Sequence, residues 1–190
     1  MQILYEYLFV SMWIAWAVYW ILSARDVKAP VRRESTLSRW AHFGPLGLSA
    51  YLLSDAGGRW APLARPFLHR TPASFWIAAF ITATGLLFSV WARKHIGRNW
   101  SGSVTIKSDH ELVTTGPYRL ARHPIYTGLL VAFAGSALAV AEVRGLLALA
   151  IAFLSLWRKL KLEERFLREQ FGQSYIDYSR RVAALVPFVL

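Results

Sequence analysis

The chain contains no cysteine. That absence removes disulfides, thiolate nucleophiles and cysteine-ligated zinc or iron–sulfur sites. No His-Glu-x-x-His stretch occurs, nor a histidine pair spaced to hold a di-iron centre. No serine sits in a Gly-x-Ser-x-Gly elbow, so an acyl-enzyme route lacks its nucleophile. Gly57-Gly58 is an isolated turn signal rather than a phosphate-cradling loop. Acidic residues are scarce: 11 against 22 Lys and Arg, a formal charge of +11. No internal repeat, low-complexity tract or second domain is visible. The opening Met1-Gln2-Ile3-Leu4-Tyr5-Glu6 has no basic lead, and its apolar run continues too far for a cleavable signal, so none is expected.

Apolar residues are abundant, at 55% of the 190, and mean hydropathy is +0.33. Together with the basic balance this points to a small integral membrane protein. A nucleic-acid-binding domain would carry its charge without repeated apolar runs. The runs cover Ile3–Leu22, Trp40–Leu53, Ala73–Trp91, Pro124–Ala141 and Gly145–Trp157. The last two are short arms of a hairpin turning at Glu142-Val143-Arg144-Gly145, and they span only with help from their polar ends. Pro45, Gly44 and Gly47 predict a kinked or closely packed second helix. The tail from Arg158 reads as a charged helix stopping at Phe171-Gly172, with Val186-Pro187-Phe188-Val189-Leu190 folding back onto the membrane face. The expected fold is therefore all-α: one polytopic membrane domain over 1–190, with about five transmembrane helices. Its amino-terminal spans occupy 1–92 and its carboxy-terminal half 93–190.

Positive charge alternates along this frame. Eighteen Lys and Arg fall in the first loop, the middle section and the tail, against four in the remaining connections. That asymmetry places the amino end outside and the tail in the cytoplasm. Lys28, Lys107 and Lys161 are then cytoplasmic, and Arg65 and Arg144 are outside.

Chemistry concentrates at Gly116-Pro117-Tyr118-Arg119-Leu120-Ala121-Arg122-His123-Pro124-Ile125-Tyr126-Thr127-Gly128. Pro124 disfavours helical geometry at His123, so a helix is expected to begin near Pro124 with His123 at its cap. Such a start would aim free backbone N–H groups at the site. The blander alternative is an interfacial loop of snorkelling arginine and anchoring tyrosine. The charge alternation brings this stretch to the same side as the tail, where Lys159 and Glu163 share a helix face. Glu163 lies six residues beyond the apolar run that ends at Trp157, near the interface, a depth at which ionisable groups serve function. Among the other histidines, His42 reads as packing, and His69 and His95 as loop or interface residues.

His110-Glu111-Leu112-Val113, Gly116-Pro117-Tyr118, Arg122-His123-Pro124-x-Tyr126-x-Gly128, Glu163-Glu164 and Phe171-Gly172-x-x-Tyr175-x-x-Tyr178 occur in that order. In that order they resemble the isoprenylcysteine carboxyl methyltransferase family of integral membrane methyltransferases, itself related to phospholipid N-methyltransferases. Asn99-Trp100-Ser101 also resembles a segment ahead of that family's cofactor loop. The resemblance implies S-adenosyl-L-methionine in a cytosolic-side pocket between the hairpin and the C-terminal helix. His110, Leu112, Val113, Tyr118, Arg122, His123, Pro124 and Tyr126 would line the cofactor, and Glu163 would hold its ammonium. A substrate-facing arginine of the family falls at Lys159, with Arg158 beside it and Glu164 as a further catalytic candidate. Lysine keeps the charge but loses the bidentate fork.

The implied reaction methylates a carboxylate on a lipophilic, isoprenylcysteine-like or lipidated substrate among membrane lipids, without metal or nucleic acid. Two other enzymatic readings stay open: an amine N-methyltransferase, for phospholipids among others, and an NADPH-dependent sterol-type reductase with a similar Arg-His-x-x-Tyr. The proline after His123 and the Glu163-Glu164 pair favour the methyltransferase. A scaffold or transporter subunit is the non-enzymatic alternative, set back by polar residues that cluster at one face rather than along a midplane path.

Overall fold

Helix boundaries in this chain follow local chemistry, and the computed structural model makes them explicit. It describes residues 2–24, 30–33, 35–54, 61–100, 105–107 and 111–186. Lys28, Gly57-Gly58, His110, Ser101 and residues 187–190 lie outside the described residues.

Helix α1 spans Gln2–Ser23. Helix α2, Thr36–Leu53, opens on Ser35, whose hydroxyl accepts the Ser38 N–H at 3.2 Å. Helix α3, Pro72–Ile96, starts with a reciprocal Thr71–Ser74 capping box and a first-turn proline. It stops at Gly97, which takes φ +54° while its amide bonds the Arg93 carbonyl. Helix α4 runs Pro124–Val140 with His123 at its N-cap, as the proline spacing predicts. Helix α5, Val143–Phe171, ends at Gly172, and the short α6 covers Gln173–Arg181.

Two features differ from the sequence expectation. The hairpin turn is tighter: Ala141, in the left-handed region, and Glu142 suffice, while Val143 and Arg144 already belong to α5. In addition, α5 is one 29-residue helix carrying the apolar arm straight into the charged tail. Nothing between Trp157 and Arg158 breaks the helix, because Lys, Leu, Glu and Arg are all good helix formers.

The class is all-α apart from a small antiparallel ribbon, β1 Pro30–Arg33 with β2 Thr105–Lys107. Among the described residues one helix, 72–99, is long and apolar enough to cross a membrane. Shorter apolar helices cover 7–23 and 124–140. Length and hydropathy thus yield fewer spans than five: α2 carries Arg39, His42 and Pro45, and α5 turns charged beyond its first half.

Connections segregate by end. The ribbon joins the first loop to the middle section, and the Arg122 and His123 amides bond the Ala183 and Ala184 carbonyls. At the opposite end the Val143 amide bonds the Arg65 carbonyl and the Phe67 amide bonds the Ala141 carbonyl. There Arg144, 5% exposed, donates to Glu142 and to the Leu52 and Ser54 carbonyls. Arg70 also pairs with Glu142 and caps the Val140 carbonyl.

Helices α3 and α4 approach backbone to backbone. A Cβ on Gly85 would stand 2.5 Å from the Gly128 carbonyl oxygen, and one on Gly128 would stand 2.6 Å from that of Gly85. Small residues permit this contact where lipid offers no hydrophobic drive between helices. Helix α2 packs on α5, and α5 on α4. Helix α1 is held by two indole bonds, Trp13 to Ser136 at 3.0 Å and Trp16 to Ser89 at 2.8 Å.

Candidate functional site

The end of the bundle that carries the middle section opens a cavity of about 430 Å³. Volumes of roughly 300–1,000 Å³ are usual for small-molecule sites. Its polar side is made by Tyr118, His123 and Tyr126 around the start of α4, and by Lys159, Glu163 and Gln170 on α5. Its apolar side is aromatic, with Trp16 and Trp20 from α1, Phe43 from α2 and Trp100.

Helical geometry explains the α5 contribution. Lys159, Glu163 and Gln170 recur at intervals of four and seven and therefore share a face. The Tyr126 hydroxyl donates to Glu163 Oε1 at 2.5 Å, and Lys159 Nζ lies 4.0 Å from the same oxygen. Glu163 Oε2 stands 3.5 Å from His123 Nδ1. The His123 and Tyr126 rings stack with 5.5 Å between centroids and 3° between planes. Burial by itself would lower the His123 imidazole, but Glu163 and Glu164 outweigh it and raise its pKa. Glu163 shows the reverse balance: burial favours its neutral form, yet His123, Lys159 and Tyr126 bring its pKa below the ordinary carboxylate value.

Behind this wall, Arg122 donates through Nε to Glu164 at 2.9 Å and through Nη1 to the Ser179 carbonyl at 3.0 Å and the Val182 carbonyl. Burial would raise the Glu164 pKa, but His123 and Arg122 overcome it and hold it at about 2. Tyr178 donates to the Tyr118 carbonyl at 2.6 Å, and the Thr127 hydroxyl to that of Leu185 at 2.7 Å. The segment after α6 thus backs the site. Gly116 takes φ +58°, and a Cβ there would meet the His95 ring at 2.6 Å.

Of the residues singled out from sequence, Tyr118, Arg122, His123, Pro124, Tyr126, Lys159 and Glu163 meet at the cavity. His110 lies outside the described residues, and the others fall elsewhere. Arg158, one residue of helix rotation from Lys159, points to α2, where it donates to the Ser38 carbonyl and hydroxyl at 3.3 Å. Glu164 sits outside the lining, turned to Arg122. Leu112 and Val113 are also outside it. Val113 packs against the core cluster that includes Tyr118 and Leu185. Trp16, Trp20, Phe43 and Leu46 went unrecognised in the sequence, although the four-residue spacing of Trp16 and Trp20 marks a shared helix face.

Residues 73–174, more than half of the chain, match the family model described as phospholipid methyltransferase. This stretch holds the polar side of the cavity, whereas Trp16, Trp20 and Phe43 precede it. The chain is 31% identical over 124 residues to protein-S-isoprenylcysteine O-methyltransferase B of Arabidopsis thaliana, covering 60% of this chain and 61% of that protein. It is 27% identical over 149 residues to a probable protein-S-isoprenylcysteine O-methyltransferase of Oryza sativa subsp. japonica, covering 73% of this chain and 76% of that one. A third relative, methanethiol S-methyltransferase 1 of Bradyrhizobium diazoefficiens, is 39% identical over 71 residues, 37% of this chain and 24% of its own. The family match spans both walls of the polar cavity face, the start of α4 and the charged half of α5, and the chain belongs to the phospholipid methyltransferase family.

Proposed function

We propose that this protein is an S-adenosyl-L-methionine-dependent membrane methyltransferase whose acceptor is a carboxylate on a lipophilic, isoprenylcysteine-like molecule. The observation that carries the reading is the division of one cavity into a charged wall, Lys159–Glu163–His123–Tyr126, and an aromatic wall, Trp16–Trp20–Phe43. Relatives bearing O-methyltransferase names support the same chemistry.

The donor set suits the proposed cofactor. Glu163 offers a carboxylate that is 22% exposed, able to receive an ammonium. Asn99 Oδ1, at the cavity, has no hydrogen-bond partner among the described residues, whereas His123 Nε2 stands 3.6 Å from Glu164 Oε1. Glu163 would hold the amino group, with Tyr118, His123 and Tyr126 as the surrounding wall. When bound, the cofactor supplies a methyl group on a sulfonium, which carries its own electrophilic activation. The chain's task is alignment and exclusion of water. Lys159 places the acceptor, and the rings of α1 and α2 keep solvent from the reacting centre. A carboxylate is ionised at neutral pH and needs no base, its ordinary pKa being about 3.3–4.3.

In the membrane we place five segments, α1 to α4 and the apolar first half of α5 as far as Trp157, with the amino end outside and the cavity facing the cytoplasm. The shared end of the first loop, middle section and tail supports this arrangement.

Calorimetric titration of the purified protein with S-adenosylmethionine, and with NADPH as the competing cofactor, tests the reading. Binding of the former alone is expected, and Glu163→Ala should weaken it about tenfold or more, the loss of one charge-assisted hydrogen bond. Binding of NADPH alone would defeat the proposal. The family name raises an amine acceptor as a second reading. Single-turnover methylation at saturating cofactor separates the two. A carboxylate gives a nearly flat rate from about pH 6 to 8. A protonated amine gives a rise of about tenfold per pH unit.

A further inference from the structure

Arg93 stands near the end of α3 and is 3% exposed, yet it does not line the cavity. Its guanidinium bridges three parts of the chain. Nη1 donates to the Gly97 carbonyl at 2.8 Å, and Nη2 donates to the carbonyl of Ser23, the last residue of α1. Cζ lies over the Trp100 ring, 4.4 Å from its centroid. The Gly97 carbonyl also accepts the Trp100 amide at 3.2 Å, so arginine and tryptophan are anchored to one oxygen. A planar fork with a flat cationic face makes these contacts together, which a lysine ammonium does not. The last carbonyls of a helix lack partners within the helix, and capping Ser23 fixes where α1 ends. One turn earlier on α3, Ser89 takes the Trp16 indole at 2.8 Å. Ser89 and Arg93 are four residues apart and share the face that receives α1.

The aromatic side of the cavity hangs on these contacts. Trp100 meets Trp20 edge to face, with centroids 5.5 Å apart and planes at 89°, and Trp20 stacks on Trp16 at 4.6 Å. All three rings line the cavity. Helix α1 precedes the matched family segment, whereas Arg93 and Trp100 lie within it. We propose that Arg93 is a positioning residue that docks the end of α1 against the Gly97–Trp100 turn and so sets the aromatic wall that receives the acceptor's lipophilic tail. This rests on the methyltransferase reading and names the device that fits its cavity to a long apolar chain. Arg93 acts through Trp100 and Trp20, so its loss should reach the tail of the acceptor and spare the acceptor's carboxylate and the cofactor.

The experiment uses the full chain in phosphatidylcholine nanodiscs and two thioether carboxylates, the S-geranyl and S-propyl derivatives of 3-mercaptopropionate, titrated calorimetrically. The probes differ only in the tail, and their partition into the bilayer is common to every variant. Wild-type protein is expected to bind the geranyl probe at least about tenfold more tightly than the propyl one. Arg93→Met, which keeps the length and loses the fork, should shrink that ratio about tenfold, with propyl-probe and S-adenosylmethionine affinities held within about twofold. Trp100→Leu should shrink the ratio similarly, and Arg93→Met should add little to it in the double variant. Arg93→Lys should fall between wild type and Arg93→Met, and it carries the same comparison should the methionine variant not fold. An unchanged ratio overturns the proposal, and so does an equal loss for both probes, the mark of a general loss of structure. A wild type without preference for the geranyl probe overturns it as well. Failure of the wild type to bind S-adenosylmethionine removes the methyltransferase reading instead, while the probe ratio still decides the role of Arg93.

Discussion

Arg122 and Glu164 form the most constrained charge pair near the site, with side chains 12% and 5% exposed. Removing one member of such a pair strands the other, which costs about 3–5 kcal/mol. Arg122→Ala should therefore lower the unfolding midpoint markedly, while Arg158→Ala, on an exposed contact with Ser38, should leave it nearly unchanged. The pH dependence has a defined sign. Glu164 is held at about 2, below its ordinary 4.5, so its stabilisation is complete above 4.5 and drains away as pH falls towards 2. His123 is raised above 6.5, so its contribution is present in full below 6.5 and fades as pH climbs through the raised value. Thermal melts from about pH 5 down to about pH 2 should show a steep acid loss in wild type and a shallower one in Glu164→Gln. Equal slopes would mean that Glu164 is not the group responsible. The sequence reading gave Glu163 to the cofactor and Glu164 to catalysis, but Glu164 turns away from the cavity to Arg122. Adjacent residues on a helix diverge by about 100°, and only packing decides which one meets a cavity and which an arginine.

At the scale of elements, much was legible wherever the signal was local. Pro124 after His123 marked the start of α4, Phe171-Gly172 marked the end of α5, and the apolar runs marked the helices. The β1–β2 ribbon escaped notice because its partners are short and far apart in the chain, so no periodicity announces them. The aromatic wall from α1 and α2 escaped for a different reason: its Trp and Phe residues look like membrane-belt residues until α5 is placed opposite. The α3–α4 contact gives a direct mechanical test. A methyl group on Gly128 would meet the Gly85 carbonyl at 2.6 Å and the Ser89 amide at 2.7 Å, both backbone atoms that cannot swing aside. Gly128→Ala should cost about 1–3 kcal/mol as overpacking. Gly47→Ala on α2 has nothing within 4 Å of the new Cβ, so no comparable loss is expected. Comparison of the two melting temperatures checks the difference.

The whole molecule is organised by which end each connection occupies. The first loop pairs with the middle section, the middle section with the tail, and residues 65–67 with the hairpin turn. The absence of native cysteine permits a clean test of sidedness. Single cysteines at Lys161 or Arg181 should resist an impermeant reagent applied to intact cells, and one at Arg65 should be labelled. The opposite pattern would move the cavity to the other face of the membrane.

The tail's attachment also bears on biogenesis. Residues 122 and 123 find their backbone partners at 183 and 184, and Arg122 needs the carbonyls of Ser179 and Val182. During synthesis α3 and α4, which pack directly on each other, are complete before those partners are made. During that interval the wall at His123 lacks its backing, and Arg122 lacks the Ser179 and Val182 carbonyls. The cavity wall is therefore the last part of the fold that the growing polypeptide completes, and a stop codon after Arg181 would remove the carbonyls that hold residues 122 and 123.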